Sequence, residues 1–155
     1  MNTTSTIYLS KKGMKELKKE ISRLEREQHQ TLRDLREIDK VDGHDERLAR
    51  VEKLAALELI ESELKEKQSA LANSKLLPRK RDLLKVAIGS VVELLDTQGR
   101  MIRYTIVDSL EANPSDGRIS AESPLGRSLI GRQIKDTIEW AAGTRVHRVQ
   151  LVGIH

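Results

Sequence analysis

The chain has 155 residues, of which 34% are charged, 37% are hydrophobic and only 2% are aromatic, and its formal net charge is +4. Globular domains usually contain roughly 45–50% apolar residues, so a single compact ball is not expected and any core must be aliphatic. The absence of cysteine excludes a disulfide scaffold, a thiolate metal site and a cysteine nucleophile. The first six residues lack the features of a signal peptide, and no apolar run is long enough to span a membrane, which predicts a cytoplasmic protein.

The first periodic stretch follows Ser10, which is a suitable helix N-cap. Its seam positions alternate steps of three and four residues, with two polar residues at the centre: Met14, Leu17, Ile21, Leu24, Gln28, Thr31, Leu35 and Ile38. This spacing is a heptad pattern, and no Pro or Gly interrupts it before Asp42. The pattern predicts one long helix with a single narrow apolar seam.

A second helical stretch runs from about Leu48 to Leu71 after a short break at residues 41–45, where Gly43 is the one turn-forming residue. Its stripe is spaced at 3.5 residues and consists of Leu54, Leu57, Glu61, Leu64, Gln68 and Leu71, and it is widened by Val51, Leu59 and Ile60. Two narrow stripes joined by a short break predict an antiparallel coiled-coil hairpin, an arm that occupies residues 1–77. About 30 residues per helix would make it roughly 45 Å long.

The charges of this arm are unevenly distributed. Residues 11–26 carry seven basic and three acidic side chains, whereas residues 34–46 carry six acidic and two basic ones. The start of the first helix is therefore cationic, and the turn between the helices is anionic. Such runs are most often solvated helix faces, but the cations could also bind phosphates, without base stacking because no aromatic residue lies among them.

A basic linker at residues 78–82 ends the helical pattern, and residues 83–155 form a strand-rich segment punctuated by turns. Ser123 followed by Pro124 predicts an N-cap and a first helical position, and Gly131 ends that short helix. The predicted strands are Val91–Leu95, Met101–Val107, Ile119–Glu122, Ile138–Trp140 and Val146–Ile154. The fold class is therefore α+β, a helical hairpin followed by a small antiparallel β domain with one short helix.

Three segments resemble a known family, the bacterial Gre transcript cleavage factors. Ser10-Lys-Lys-Gly13-Met-Lys-Glu-Leu17 is similar to the T/S-x-x-G-x-x-x-L opening of that family. Gly89-Ser-Val-Val is similar to the start of its carboxy-terminal sheet. The third segment is similar to the family's S-P-x-[AG]-[RK]-x-L-[IL]-G motif, and it places the following residues in the docking domain: Ser123, Pro124, Leu125, Arg127, Leu129 and Gly131.

The resemblance implies a coiled-coil arm followed by an FKBP-like domain that docks at the rim of the secondary channel of bacterial RNA polymerase. The arm would enter the channel and bring its acidic tip to the catalytic Mg²⁺, where tip carboxylates help to hold a second Mg²⁺ so that the polymerase cleaves backtracked RNA at its nascent 3′ end. Carboxylate oxygens are the ligands that this hard cation prefers, and two metals can stabilise both the attacking and the leaving oxygen. The factor itself would be a monomer when free, with no enzymatic activity of its own and no tightly bound cofactor.

Two groups of charged residues in the arm are the candidates for this function. The tip acids expected to assist the polymerase and to share its Mg²⁺ are Asp42, Asp45 and Glu46. The residues expected to contact RNA or polymerase are Lys11, Lys12, Lys15, Lys18, Lys19 and Arg23.

The tip departs from the family pattern, G-D-x-x-E-N. It reads Asp-Gly-His-Asp-Glu-Arg over residues 42–47, and alignments from Gly13 forward and from Leu71 backward differ by one residue without recovering both acids. Asp42 and Asp45 nevertheless keep a spacing of three residues, with Glu46 adjacent. Two functions therefore stay open, stimulation of cleavage and occupation of the channel without cleavage.

The same residues also allow other interpretations. The tip acids could be solvated charges that cap the second helix, and the arm could belong to a coiled-coil adaptor that does not bind polymerase. A prolyl isomerase would need an aromatic-lined pocket, which is hard to build from Tyr104 and Trp140 alone. Ser123 has no evident His or Asp partner and is not expected to be a nucleophile, and the four histidines lack metal-ligand spacing.

Overall fold

The computed structural model describes residues 5–41, 43–80 and 82–155. Asp42 of the predicted tip and Arg81 of the predicted linker lie outside these residues, as do residues 1–4. The chain divides into two compact units, one containing Met14–Ser74 and the other containing Thr6–Gly13 with Lys75–His155. The second unit thus includes Thr6–Gly13, which the predicted arm at residues 1–77 also contains.

The first unit is the predicted helical hairpin. Helix α1 spans Lys11–Ile38 and helix α2 spans His44–Ala72. The predicted seam of α1 is confirmed, because its apolar members between Leu17 and Leu35 are buried. Thr31 at the polar centre is also buried, and its hydroxyl donates to the Glu27 carbonyl at 2.9 Å. The other polar residue, Gln28, donates through its amide to Glu61 of α2 at 3.3 Å, so both residues of the polar centre have hydrogen-bond partners.

The predicted seam of α2 is confirmed in part. Ile60 and Leu64 are buried, whereas Leu54 is 45% exposed and both Glu61 and Gln68 are exposed. The stripe is therefore right at Ile60 and Leu64 and wrong at Leu54, Glu61 and Gln68. Between Leu48 and Leu59 the half-buried residues are Ala49, Lys53, Ala56 and Leu57.

The second unit contains a five-stranded sheet and a separate two-stranded one. The small sheet pairs β1 (Ile7–Leu9) with β2 (Ser74–Leu76), and neither strand was predicted. The large sheet has the order β5-β4-β3-β7-β6. Its strands are β3 (Val91–Asp96), β4 (Met101–Val107), β5 (Arg118–Ser120), β6 (Thr137–Ala142) and β7 (Arg145–Ile154), with the short helix α3 (Pro124–Leu129) between β5 and β6.

The large sheet is mixed rather than purely antiparallel, since β5 runs parallel to β4 with Ile106 opposite Ile119. The connection between these strands contains two short 3-10 turns, Ser109–Glu111 and Pro114–Asp116, which give the chain room to return before β5 begins. The core is aliphatic, as predicted, and its fully buried members are Val92, Leu94, Ile106, Leu129, Ile138 and Leu151. Within the described residues, no helix is long and apolar enough to cross a membrane.

The hairpin depends on its single seam, which Leu24→Ala tests. Leu24 is 1% exposed, so truncation should lower the free energy of unfolding of the hairpin by about 2–4 kcal/mol through lost burial and a cavity. The matched control is Leu59→Ala on α2, where the side chain is 72% exposed and the expected change is below about 0.5 kcal/mol. Urea unfolding followed by helical circular dichroism measures both; equal effects would contradict the assigned seam.

Candidate functional site

The turn of the hairpin leads into α2 through Gly43, which has an extended backbone and occupies the N-cap position. Asp45 and Glu46 lie in the first turn of α2. Carboxylates at this position are stabilised by the positive end of the helix macrodipole. Both residues therefore have a structural role whether or not they also act on a partner.

Glu46 folds back over the start of its own helix. A methyl group placed on Gly43 would lie 2.0 Å from Oε2 of Glu46, so that carboxylate lies directly against the glycine. Glu46 is the third residue after the N-cap, the position from which a capping-box glutamate reaches back. Its carboxylate in this conformation is turned toward Gly43 rather than fully extended into solvent, although the side chain is flexible enough to rotate away.

Among the described acids of residues 34–46, Asp34, Glu37 and Asp39 form ion pairs. Asp34 binds Lys53 at 2.9 Å across the hairpin, and Asp39 lies 3.2 Å from Arg50. Glu37 pairs at 2.7 Å with Lys40, which lies just beyond the end of α1. The hydrogen bond from Lys53, reinforced by one from Gln30, holds the pKa of Asp34 below its usual value. These pairs partly neutralise the anionic end that the sequence predicted.

No group of three or more His, Asp or Glu side chains in the described parts of the chain is arranged to hold a metal ion. The predicted set includes Asp42, which lies outside those parts, so Mg²⁺ binding by Asp42, Asp45 and Glu46 stays a prediction. Asp45 is exposed and could take part in such a site. Glu46 could join it only after leaving Gly43.

The predicted basic surface is exposed throughout: Lys11, Lys12, Lys15, Lys18, Lys19 and Arg23. The guanidinium of Arg23 binds Glu20 at 2.7 Å and Glu27 at 2.8 Å. The hydrogen bond between Arg23 and Glu20 raises the pKa of the arginine and lowers that of the glutamate. Arg23 is thus engaged within its own helix and is a weaker candidate for binding phosphate than the lysines.

The cationic face of α1 continues beyond the residues that the sequence analysis named. Arg26, His29 and Arg33 line a shallow cavity together with Arg23. The helical spacing of Arg23, Arg26 and Arg33 could have revealed this extension, because residues three and seven apart lie on one face.

The docking-domain motif builds helix α3. The Ser123 hydroxyl accepts from the Gly126 amide at 3.1 Å and donates to the Ser120 carbonyl at 2.7 Å, which confirms the predicted N-cap. A methyl group on Gly126 would lie 2.0 Å from that same carbonyl, so only glycine fits there. Leu129 is fully buried and Gly131 has a positive φ of 80°. The exposed part of the motif consists of Pro124, Arg127 and Gly131.

Beside α3, Leu125 lines a cavity of about 460 Å³ together with Tyr104 and Trp140. Trp140 stacks on His147 with ring centroids 5.2 Å apart. Both aromatic residues of the segment 83–155 thus lie at one cavity, whose lining also includes charged residues such as Arg100 and Arg148 and is not the apolar pocket that a prolyl isomerase needs. Asp96 lies at its rim, and hydrogen bonds led by the Arg100 amide keep its pKa low.

Comparisons with known proteins assign the chain to a family. The family model for "Transcription elongation factor, GreA/GreB, C-term" matches residues 82–155. Transcription elongation factor GreA of Mycoplasma genitalium is 34% identical over 152 residues, which cover 95% of this chain and 94% of that protein. The chain belongs to the GreA/GreB family of transcription elongation factors.

Other relatives match parts of this GreA/GreB family member. GreA of Zymomonas mobilis is 53% identical over 55 residues, which cover 36% of this chain and 35% of that protein. Among solved structures, GreA factor homolog 1 (Gfh1) of Thermus thermophilus is 23% identical, covering 97% of this chain and 99% of that one, with a TM-score of 0.45.

The N-cap of α3 can be tested by Ser123→Ala, which should lower the free energy of unfolding by about 1 kcal/mol because the Gly126 amide loses its acceptor. Ser128→Ala in the same helix is the control, since the Ser128 hydroxyl only donates to the Pro124 carbonyl, and the expected change is below about 0.5 kcal/mol. Fluorescence of Trp140, the only tryptophan in the chain, follows urea unfolding. A larger effect at Ser128 would argue against the assigned cap.

Proposed function

We propose that the protein binds bacterial RNA polymerase at its secondary channel and stimulates Mg²⁺-dependent cleavage of backtracked nascent RNA. The observation that carries this proposal is the hairpin, which presents Asp45 and Glu46 at its turn. Its first helix has 28 residues and is therefore roughly 42 Å long. Membership of the GreA/GreB family supports an action in transcription elongation.

In this function the tip acts through oxygen ligands. Bound Mg²⁺ would stabilise the attacking and leaving oxygens of the RNA, and the polymerase would supply the rest of the active site. Asp45 is exposed and available as a ligand, Glu46 becomes available after rotating away from Gly43, and Asp42 is the third expected ligand. The protein then contributes carboxylates to the active site of the polymerase, which is why we do not regard it as an enzyme by itself.

The exposed residues of the α3 motif form the surface through which we propose that this protein docks on polymerase. Pro124 and Arg127 are exposed, and Leu125 joins them to the aromatic cavity that contains Tyr104 and Trp140. A surface with an apolar centre and a charged edge is typical of protein interfaces. The lysines near the start of α1 would contact RNA phosphates or acidic polymerase surfaces, without reading sequence.

A second candidate function is occupation of the channel without cleavage. The position of Glu46 favours it, because its carboxylate lies against Gly43 and would have to turn away before it could bind a metal. In that case the factor would slow or otherwise modulate transcription while bound.

The two functions are distinguished by the length of RNA in a stalled, backtracked elongation complex with Mg²⁺, with and without the protein. Shortened RNA that polymerase can extend again supports cleavage. Unchanged RNA together with slower initiation or elongation supports channel occupation. Absence of both effects and of binding would return the protein to the coiled-coil adaptor interpretation.

The tip is tested by replacing Asp42, Asp45 and Glu46 together with alanine. Cleavage stimulation should fall by about a hundredfold or more while affinity for polymerase changes less than about threefold, because the acids would act on reacting oxygens and not on docking. The control replaces Glu52, Glu58 and Glu66, three exposed acids further along α2, with alanine and removes the same charge. Full activity of the tip variant would exclude the proposed chemistry.

Docking is tested by Arg127→Glu, which reverses an exposed charge on α3 without disturbing the core. Affinity for polymerase should fall by about tenfold, since charge reversal in an interface is unfavourable. Arg145→Glu, an exposed arginine at the start of β7, is the control and should bind like the natural protein. If both variants bind equally, the docking surface lies elsewhere.

A further inference from the structure

Glu111 is a buried carboxylate that the proposed function does not use. It is 8% exposed and ends the first 3-10 turn after β4. Its carboxylate accepts a hydrogen bond from the Ser10 amide at 2.9 Å and a second one from the Ser10 hydroxyl. The two residues are 101 positions apart in the chain. We refer to these two hydrogen bonds as the Ser10–Glu111 contact.

The Ser10–Glu111 contact completes the start of helix α1. The Ser10 hydroxyl accepts from the Gly13 amide at 3.0 Å, as an N-cap does. In a capping box, a glutamate three residues after the cap would in turn accept from the cap's own amide. Glycine stands at that position here, and Glu111 accepts the hydrogen bond in its place. The first turn of α1 contains no acid of its own, so Glu111 also supplies the negative charge that the helix dipole favours.

Gly13 is explained by the same contact. A methyl group on Gly13 would lie 2.2 Å from Oε1 of Glu111 and 2.8 Å from its Cγ. The clash involves the inner part of the glutamate side chain as well as its tip, and that side chain is held by Ser10 and by burial. A glycine inside a helix costs stability relative to alanine, so its presence needs a reason, and the approach of Glu111 provides one.

We propose that Glu111 is a positioning residue that fixes the first turn of α1. Loss of Glu111 then weakens the effect of this factor on transcription more than it weakens binding to polymerase. The proposal rests on the function proposed above. Helix α1 is continuous from Lys11 to Ile38, so a change in its first turn is passed to the helix that forms half of the hairpin. Small displacements of reacting groups cause large losses of rate, so we expect the effect on transcription to fall more than docking through α3 does.

The contact itself is tested by a double-mutant cycle in the full-length protein. Gly13→Ala alone should lower the urea midpoint of unfolding, because the methyl group meets the Glu111 side chain. In the Glu111→Ala background the same substitution should raise the midpoint, because the clash is gone and alanine is the better helix former. If Gly13→Ala shifts the urea midpoint in the same direction in both backgrounds, the contact with Glu111 is not the reason for the glycine.

The positioning role is tested with Glu111→Ala at a saturating concentration of the factor. The measured effect is the one that the natural protein has on a backtracked complex, either shortening of the RNA or slower transcription. We expect a loss of about tenfold or more in that effect with polymerase affinity unchanged within about threefold. Glu111→Gln should recover much of it, since the amide keeps one acceptor for Ser10 and can donate to the hydroxyl. A full effect of Glu111→Ala would overturn the positioning role.

The two proposals fail in different ways. If the natural protein neither binds nor affects polymerase, the proposed function is wrong, and the positioning role that rests on it falls with it. The double-mutant cycle still decides whether the Ser10–Glu111 contact explains Gly13. If the natural protein acts and Glu111→Ala loses affinity and effect in parallel, Glu111 serves folding or docking instead, and the positioning role is contradicted.

Discussion

The narrow seam between α1 and α2 is the constraint on which the rest of the molecule depends. Each helix contributes one stripe of buried residues, which is why the chain can be 34% charged and still fold. A hairpin of this kind has no interior in which to build an enclosed active site. Whatever it does must be done by side chains on its faces and at its turn, and the proposed function uses those places: lysines along α1 and acids at the start of α2.

The charges of the hairpin are balanced locally as well as separated along its length. Arg23 is held by Glu20 and Glu27, and Lys53 crosses to Asp34. Exposed pairs of this kind contribute little to stability. Their larger consequence is functional, because each pair reduces the charge available to a partner. Arg23 and Asp34 therefore offer a partner less charge than the composition of their segments suggests.

Much of the fold could be predicted from local patterns. The α1 seam follows directly from a spacing of three and four residues, and helix α3 follows from Ser123, Pro124 and Gly131, because caps are local chemistry. The α2 stripe was wrong at Leu54, Glu61 and Gln68, because spacing alone does not fix which side of a weakly apolar helix packs inward. The parallel pairing of β5 was missed because strand direction depends on how a connection crosses the sheet and not on the strand's own residues.

The sequence by itself determined the two-part architecture, the family and the candidate acids and cations, because periodicity, caps, charge runs and motifs are properties of neighbouring residues. Only the tertiary structure decided which of these residues are engaged. It turned Glu46 toward Gly43, paired three acids of the anionic segment, and gathered Tyr104 and Trp140 at one cavity. It also brought Glu111 to Ser10 across 101 residues. Local patterns do not reveal such a contact, and its one sign in the nearby sequence is the glycine at position 13.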